Sequence, residues 1–285
     1  MAMMKNRIDF VAVVVCRLAN PGGDPLNGNR PRVNFQGFGE LSDVCIKRKI
    51  RNRLQDMGLN IFVQSDGRET DEFRCLSKRA ESVLKGCTTL AEKQKKACEA
   101  WVDVRAFGQV FAFKAKKGDT DGNNAGESFG VRGPVTIQVA ESVDPVDIVS
   151  MQITKSVSNE DGEKKGSDTM GTSHRVDFGV YLIKGSINPY LAEKTGLTDE
   201  DVEKIKEALL TLFENDESAA RPAGSMEVRR LFWFDHGCKC GKYNTAEVHR
   251  SVVVKRKTDD VARSFDDYEV GYVPLEGLEP QVFEQ

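Results

Sequence analysis

Residues Ile8–Cys16 read IDFVAVVVC, a run rich in β-branched side chains and interrupted only by Asp9. Apolar residues in succession, without polar alternation, predict a strand buried on both faces near the centre of a sheet. Further strands are predicted around it. Val131–Ser142 contains the alternating VTIQVAES, Val176–Ile183 alternates again before an Asn188-Pro189 turn signal, and Arg229–Asp235 reads RRLFWFD. Two amphipathic helices separate them. Ser42 is an N-cap candidate with Asp43 in the first turn, and Ile46, Ile50, Leu54 and Met57 recur on one face. Thr198–Phe213 opens as TDEDVEKI, a cap followed by acidic residues, with Val202, Ile205, Leu209, Leu212 and Phe213 inward. The order strand, helix, strand, strand, helix, strand predicts an α+β chain with a ferredoxin-like, RNA-recognition-motif βαββαβ core. Residues 58–129, with a helical stretch over Leu90–Trp101, form an insertion, and 150–173 form a projecting β-hairpin with Asp161-Gly162 at its tip.

Between the first strand and the first helix lies NPGGDPLNGNRPR, residues 20–32. Three glycines, three prolines, three asparagines and two arginines make turns and leave backbone N–H groups free to face an anion. The helix that follows carries Lys47, Arg48, Lys49, Arg51 and Arg53. Lys47 and Arg51 share a face four residues apart, where like charges repel unless an anion lies between them. Asp43 can pair with Lys47, which leaves the other cations in excess. Loop and helix together read as a phosphate-binding device, with an ordinary solvated basic face as the plain alternative. No GxxxxGK[ST] or GxGxxG motif is present, so a polymeric backbone fits better than a mononucleotide.

The net charge of −3 is segregated along the chain. Residues 17–57 hold eight Lys/Arg against four Asp/Glu, and residues 221–257 hold nine against three. Residues 193–217 hold nine acids against three bases, and residues 259–284 eight against one. Such segregation suits a subunit that binds a polyanion on one side and stacks on its neighbours with another; solvated acidic segments are the alternative. No apolar run approaches the ~20 residues of a membrane span, so a soluble cytoplasmic protein is expected. The seven scattered cysteines do not suggest a secreted disulfide framework.

Metal and catalytic signals are weak. His236, Cys238, Cys240 and His249 bring thiols and imidazoles together, but C-x-C is not the usual structural zinc knuckle. Asp119, Asp121 and Asn123 have EF-hand spacing, yet Asn124 and Gly130 occupy the positions that need Gly and Glu. No metal, cofactor or catalytic residue is therefore expected. The run RSVVVKRK at 250–257 is either a second nucleic-acid contact or a strand with a solvated basic end.

The segments NPGGDPLNGNRPR, SDVCIKRKIRN, VRGPVTIQVAESVDPV and SHRVDFGVYLIKG occur in this order across nearly the whole chain. Together they resemble the backbone subunit of CRISPR type I surveillance complexes (Cascade), in the subtype I-C form, within the repeat-associated mysterious protein (RAMP) superfamily. The resemblance implies a non-catalytic subunit for antiviral defence that oligomerises head to tail along a CRISPR guide RNA (crRNA). It implies a helical ribonucleoprotein with other type I-C subunits, which carries the target DNA strand paired to the guide and recruits a separate nuclease-helicase. It divides the chain into a modified RNA-recognition-motif palm (about 1–57, 130–149 and 174–257), an inserted finger region (about 58–129), a thumb hairpin (about 150–173) and an acidic C-terminal segment (258–285). In that family the thumb folds over RNA on the adjacent subunit and displaces one base at intervals, which implies Met151 or Met170 as the apolar wedge and Lys155 as a phosphate contact; a surface hairpin without a role, with methionine packing at its base, is the alternative. His174, in the matched SHRVDF, is implied to stack on or hydrogen-bond RNA; a histidine satisfied at a strand start is the alternative. The RNA-binding set is then Asn20, Asn27, Asn29, Arg30, Arg32, Lys47, Arg48, Arg51, Lys155, Met170 and His174. Related superfamily members cut RNA with a histidine base, so a metal-independent endoribonuclease that processes CRISPR repeat RNA is the enzymatic rival.

Overall fold

The computed structural model describes residues 2–112, 128–154 and 170–285. β1 (Ile8–Ala19) leads through a small ladder of β2 (Gly23–Asp24) and β3 (Arg30–Pro31) to β4 (Phe38–Leu41) and α1 (Asp43–Asp56). An inserted unit follows, with α2 (Leu76–Leu84), α3 (Leu90–Ala100), α4 (Val102–Phe107) and a hairpin of β5 (Gly108–Ala112) with β6 (Ser128–Arg132). The chain re-enters the main sheet through β7 (Val135–Ile137) and β8 (Ala140–Pro145), leaves it as β9 (Ile148–Thr154) and returns as the long β10 (Met170–Ile187). Next come α5 (Pro189–Thr195), α6 (Asp199–Leu210), β11 (Met226–Asp235) and α7 (Thr245–Ser251). β12 (Val252–Arg256), β13 (Tyr268–Tyr272) and β14 (Gln281–Glu284) complete it.

Among the described residues the main sheet is antiparallel, eight-stranded, and ordered β14-β11-β1-β10-β8-β4, with β7 and β9 also paired to β10. β1 lies between β10 and β11 and serves two cores. Phe10, Ala12, Val14 and Cys16 face the core beneath α1 and α6, with Phe10 stacked on Trp233 at 5.4 Å between ring centroids. Val11, Val13 and Val15 face a second core with Phe232, Phe234, Val248, Val252, Tyr268 and Leu278. Both faces are covered, which is why IDFVAVVVC does not alternate. Each such aliphatic side chain contributes about 1.5–3 kcal/mol when fully buried.

The two predicted helices form where their caps place them. Ser42 Oγ accepts from the Cys45 N–H at 3.3 Å, and Ile46, Ile50 and Leu54 are fully buried. Thr198 and Asp201 close a capping box, and Val202, Ile205, Leu209 and Leu212 are buried, with Phe213 packed partly against them. The predicted helical stretch over Leu90–Trp101 is α3, capped by a box between Thr89 and Glu92.

Several segments depart from expectation. Val131–Ser142 is not one strand: Gly133 packs against the Ala106 and Phe107 backbone with no room for a Cβ, and β7 and β8 form separately after it. Asn188-Pro189 does not end in a bare turn, because Asn188 caps α5 and Pro189 occupies its first position. The acidic C-terminal segment is not a solvated tail. β14 pairs with β11, and Tyr268 and Leu278 seal the second core.

Candidate nucleic-acid interface

β10 is continuous through two roles. Val176 pairs with Ala19 of β1, and from Met170 to Val176 the same strand pairs with β9, from Thr154 back to Ile148. The hairpin is thus an extension of a core strand beyond the sheet, and its residues Met151, Ile153 and Met170 are exposed. Its tip, with Lys155, Asp161 and Gly162, lies outside the described residues.

At the base of this hairpin three side chains from distant segments meet. Arg30, on β3, donates through Nη1 to Ser150 Oγ at 3.0 Å. His174 Nδ1 lies 2.9 Å from Ser150 Oγ and 3.5 Å from Arg30 Nη1, and Ser150 and His174 are cross-strand partners. A guanidinium only donates, so the set closes when Ser150 accepts from Arg30 and gives its own proton to His174 Nδ1. Arg30 and His174 are predicted site residues that the fold brings together; Ser150, their common partner, carries no sequence signal beyond its place at the hairpin's edge.

The Gly/Asn/Pro loop is braced from within. Asp24 accepts from the Leu26 N–H at 3.2 Å and pairs with Arg32 at 3.3 Å, while the Asn29 N–H reaches the Asp24 carbonyl at 2.8 Å. Gly28 and Asn29 both take positive φ, +58° and +59°, as the turn requires. Asn20 is 3% exposed and donates through Nδ2 to the Asn29 carbonyl at 2.7 Å. Its side chain therefore shapes the loop and does not present itself to a ligand, whereas Asn27 and Asn29 are exposed. Leu18, at the end of β1, also holds a positive φ of +53°, a strained position that nothing in the sequence announces.

The basic face of α1 differs most from its sequence reading. The cations are not in excess, because acids and carbonyls far along the chain meet them. Lys47 pairs with Asp43 at 3.0 Å, as its spacing allows. Arg48 donates to the Val63 carbonyl at 2.6 Å, and burial pulls the pKa of its guanidinium down. Lys49 is 3% exposed, ion-paired with Asp216 and set 5.3 Å from the Phe213 ring centroid. Arg51 pairs with the buried Asp103 at 3.0 Å and lies 5.0 Å from the Phe107 ring centroid. Arg53 pairs with Glu214 at 2.6 Å. These side chains cross-link α1 to the insertion and to the segment after α6. Lys47 is the member of the predicted trio whose partner is local and partly exposed.

The remaining histidines are structural. His236 is fully buried, with Nε2 2.8 Å from Asp9 Oδ2 and Nδ1 accepting from the Lys242 N–H at 2.9 Å. Both ring nitrogens are engaged, so neither is offered to Cys238 or Cys240. His249 Nε2 lies 3.0 Å from the Gly185 carbonyl. The basic run at 250–257 spans the end of α7 and β12, which pairs with β13, with Arg256 3.3 Å from Asp144 and Lys257 donating to the Asp266 carbonyl. Among the described residues no group of three or more His, Cys, Asp or Glu is placed to hold a metal, and no helix is long and apolar enough to cross a membrane.

Comparison with known proteins finds CRISPR-associated relatives. A curated CRISPR-associated protein Cas7 from Haloferax volcanii is 28% identical over 215 residues, covering 70% of this chain. The alignment spans 62% of that relative's length. Two solved chains align at 15% identity. A CRISPR RNA-guided surveillance complex in a pre-nicking state gives a TM-score of 0.49 over 80% of this chain and 78% of the other. Another CRISPR RNA-guided surveillance complex gives 0.44 over 80% and 68%. The family described as CRISPR-associated protein Cas7 matches residues 6–272, and the chain belongs to that family.

Proposed function

We propose that this protein is a non-catalytic, cytoplasmic guide-RNA-binding backbone subunit of a type I-C surveillance complex. Copies stack head to tail along the RNA, beside the other subunits of the complex. Each grips a few nucleotides through phosphates and leaves base edges free to pair with target DNA, so the protein sets shape while base pairing reads sequence. In this reading β11-β1-β10-β8 with α1 and α6 is the modified RNA-recognition-motif palm. The insertion between α1 and β7 is the finger region, and β9 with the start of β10 is the thumb, with Lys155 at a phosphate and Met151 or Met170 as its wedge.

The observation that carries this reading is the Arg30, Ser150 and His174 cluster, where a glycine-rich loop presents a guanidinium at the root of a projecting hairpin. A guanidinium held beside an exposed loop suits a phosphate; apolar side chains on the arm above it suit an unstacked base.

The test is binding of the purified protein to single-stranded RNA across a salt series. The reading expects a steep salt dependence and uniform weakening in Arg30→Ala across RNA sequences, with the salt slope shallower by about 0.7 per lost phosphate contact. Absence of RNA binding by the folded wild type overturns it.

A further inference from the structure

From the geometry of the loop before β4 we infer that Phe35 is a stacking platform for one unpaired nucleobase. The inference rests on the RNA-binding reading above and adds a contact that reading does not contain. Phe35 is the most exposed large apolar side chain among the described residues, at 111%. An aromatic ring left wholly in water forgoes its burial energy, and here the backbone beneath it is held firmly. Asn34 Oδ1 accepts from the N–H groups of Gln36 at 2.9 Å and Phe38 at 3.0 Å. The Asn34 N–H also donates to the Phe38 carbonyl at 2.9 Å, and the Gly37 N–H donates to the Asn34 carbonyl at 3.1 Å with φ at +85°. Two further bonds tie this tip to β8 and the residue after it: Asn34 Nδ2 donates to Glu141 at 2.7 Å, and the Val146 N–H donates to the Gly37 carbonyl at 3.0 Å. The ring is presented by a braced turn, not by a loose loop.

Its surroundings select the occupant. The flanking residues are Asn34, Gln36 and Gly37, with Val33, at 41%, the nearest exposed aliphatic side chain in sequence, so the turn offers one dominant ring and not a broad apolar cluster. A protein partner's hot spot is a packed cluster within an interface burying roughly 800 Å² on each side. A nucleobase needs one flat face, and every base has one. The turn also belongs to the segment that carries the phosphate cluster: Glu40 bonds back to Arg32, and β9, with Ser150, starts two residues after Val146. From Val146 to Ser150 is about 13 Å of extended chain, within reach of one bound strand.

The test uses the full chain, wild type, Phe35→Trp, Phe35→Ala and Arg30→Ala, with a single-stranded RNA oligomer and with the same RNA annealed to complementary DNA. Both native tryptophans are buried, Trp101 at 5% and Trp233 at 2%, so a tryptophan at 35 reports from the surface. Stacking predicts that RNA quenches the added emission in Phe35→Trp and that Phe35→Ala weakens RNA binding by about 5- to 150-fold with unchanged thermal stability. Quenching by RNA alone that is lost on annealing assigns the base to the guide; quenching only with DNA present assigns it to the target strand. Unchanged affinity in Phe35→Ala without quenching in Phe35→Trp, while Arg30→Ala still weakens binding, overturns this inference and leaves the RNA-binding reading standing. Loss of self-association in RNA-free Phe35→Ala overturns it in favour of a second copy of the chain, and no RNA binding by wild type fails both together.

Discussion

Arg51 and Asp103 form an ion pair at 3.0 Å that joins α1 to the inserted unit, and Asp103 is 1% exposed. The same carboxylate accepts from the Phe62 N–H at 2.7 Å and the Val63 N–H at 3.1 Å. Removing Arg51 leaves a buried charge with only amide donors. Loss of one partner from such a pair costs about 3–5 kcal/mol, so Arg51→Met is expected to lower the urea midpoint sharply. Under conditions where that variant remains folded, its RNA affinity is expected to match wild type. A variant as stable as wild type but weak in RNA binding would make Arg51 an RNA contact.

His249 gives the fold an acid limb. Burial lowers its pKa below the ordinary histidine value of 6.5, against the raising effects of the Gly185 carbonyl and Asp9, while Lys184 and Arg7 lower it further. The unfolded chain then binds the proton first. Stability from this group is complete above about pH 6.5 and is lost as pH falls from there towards the depressed folded pKa, with a limiting slope of about 1.4 kcal/mol per pH unit. Urea midpoints measured from pH 8 to pH 5 should fall for wild type, and His249→Gln should show a shallower fall. Identical slopes would mean that another group carries the acid limb.

What could be read from the chain was local. β1 announced itself because both its faces are buried, and α1 and α6 because Ser42 and Thr198 mark their starts. The partners of the α1 cations were invisible because Arg51 to Asp103 spans 52 positions and Lys49 to Asp216 spans 167. Charge runs record composition; only the fold says which cations meet an acid. The strand offered for 250–257 is β12, whereas α7 and β13 were missed for a related reason. Each is short with few apolar residues, and Val248 and Tyr268 gain their meaning from the second face of β1. In the candidate site, Arg30 and His174 were legible as residue types, but Ser150 joins them only once β9 pairs with β10.

The box at the start of α6 reaches beyond its own helix. Thr198 Oγ1 accepts from the Asp201 N–H at 3.1 Å, and Asp201 answers the Thr198 N–H at 3.0 Å while also receiving Arg105 Nη2 at 2.6 Å. Thr198→Ala removes the cap alone and is expected to cost about 1 kcal/mol. Asp201→Asn also takes the charged, two-oxygen partner from Arg105 and should cost more; thermal or urea unfolding of the two variants side by side tests that order.

Lys47 is the α1 residue on which an RNA contact can be tested without disturbing the core. Its pairing with Asp43 is an i,i+4 contact at 3.0 Å between side chains 23% and 36% exposed. Such pairs contribute only about 0.3–0.5 kcal/mol, so Lys47→Ala should unfold within a few tenths of a kcal/mol of wild type. Arg48 and Arg51 do not allow this, since each is tied to the insertion. If Lys47 turns from Asp43 to a phosphate, Lys47→Ala weakens RNA binding equally for all sequences and flattens the salt slope by about 0.7. Asp43→Asn, which releases the ammonium, should then strengthen binding. Affinity unchanged in both variants would confine the grip to the loop and hairpin base, with the α1 cations acting solely as cross-links.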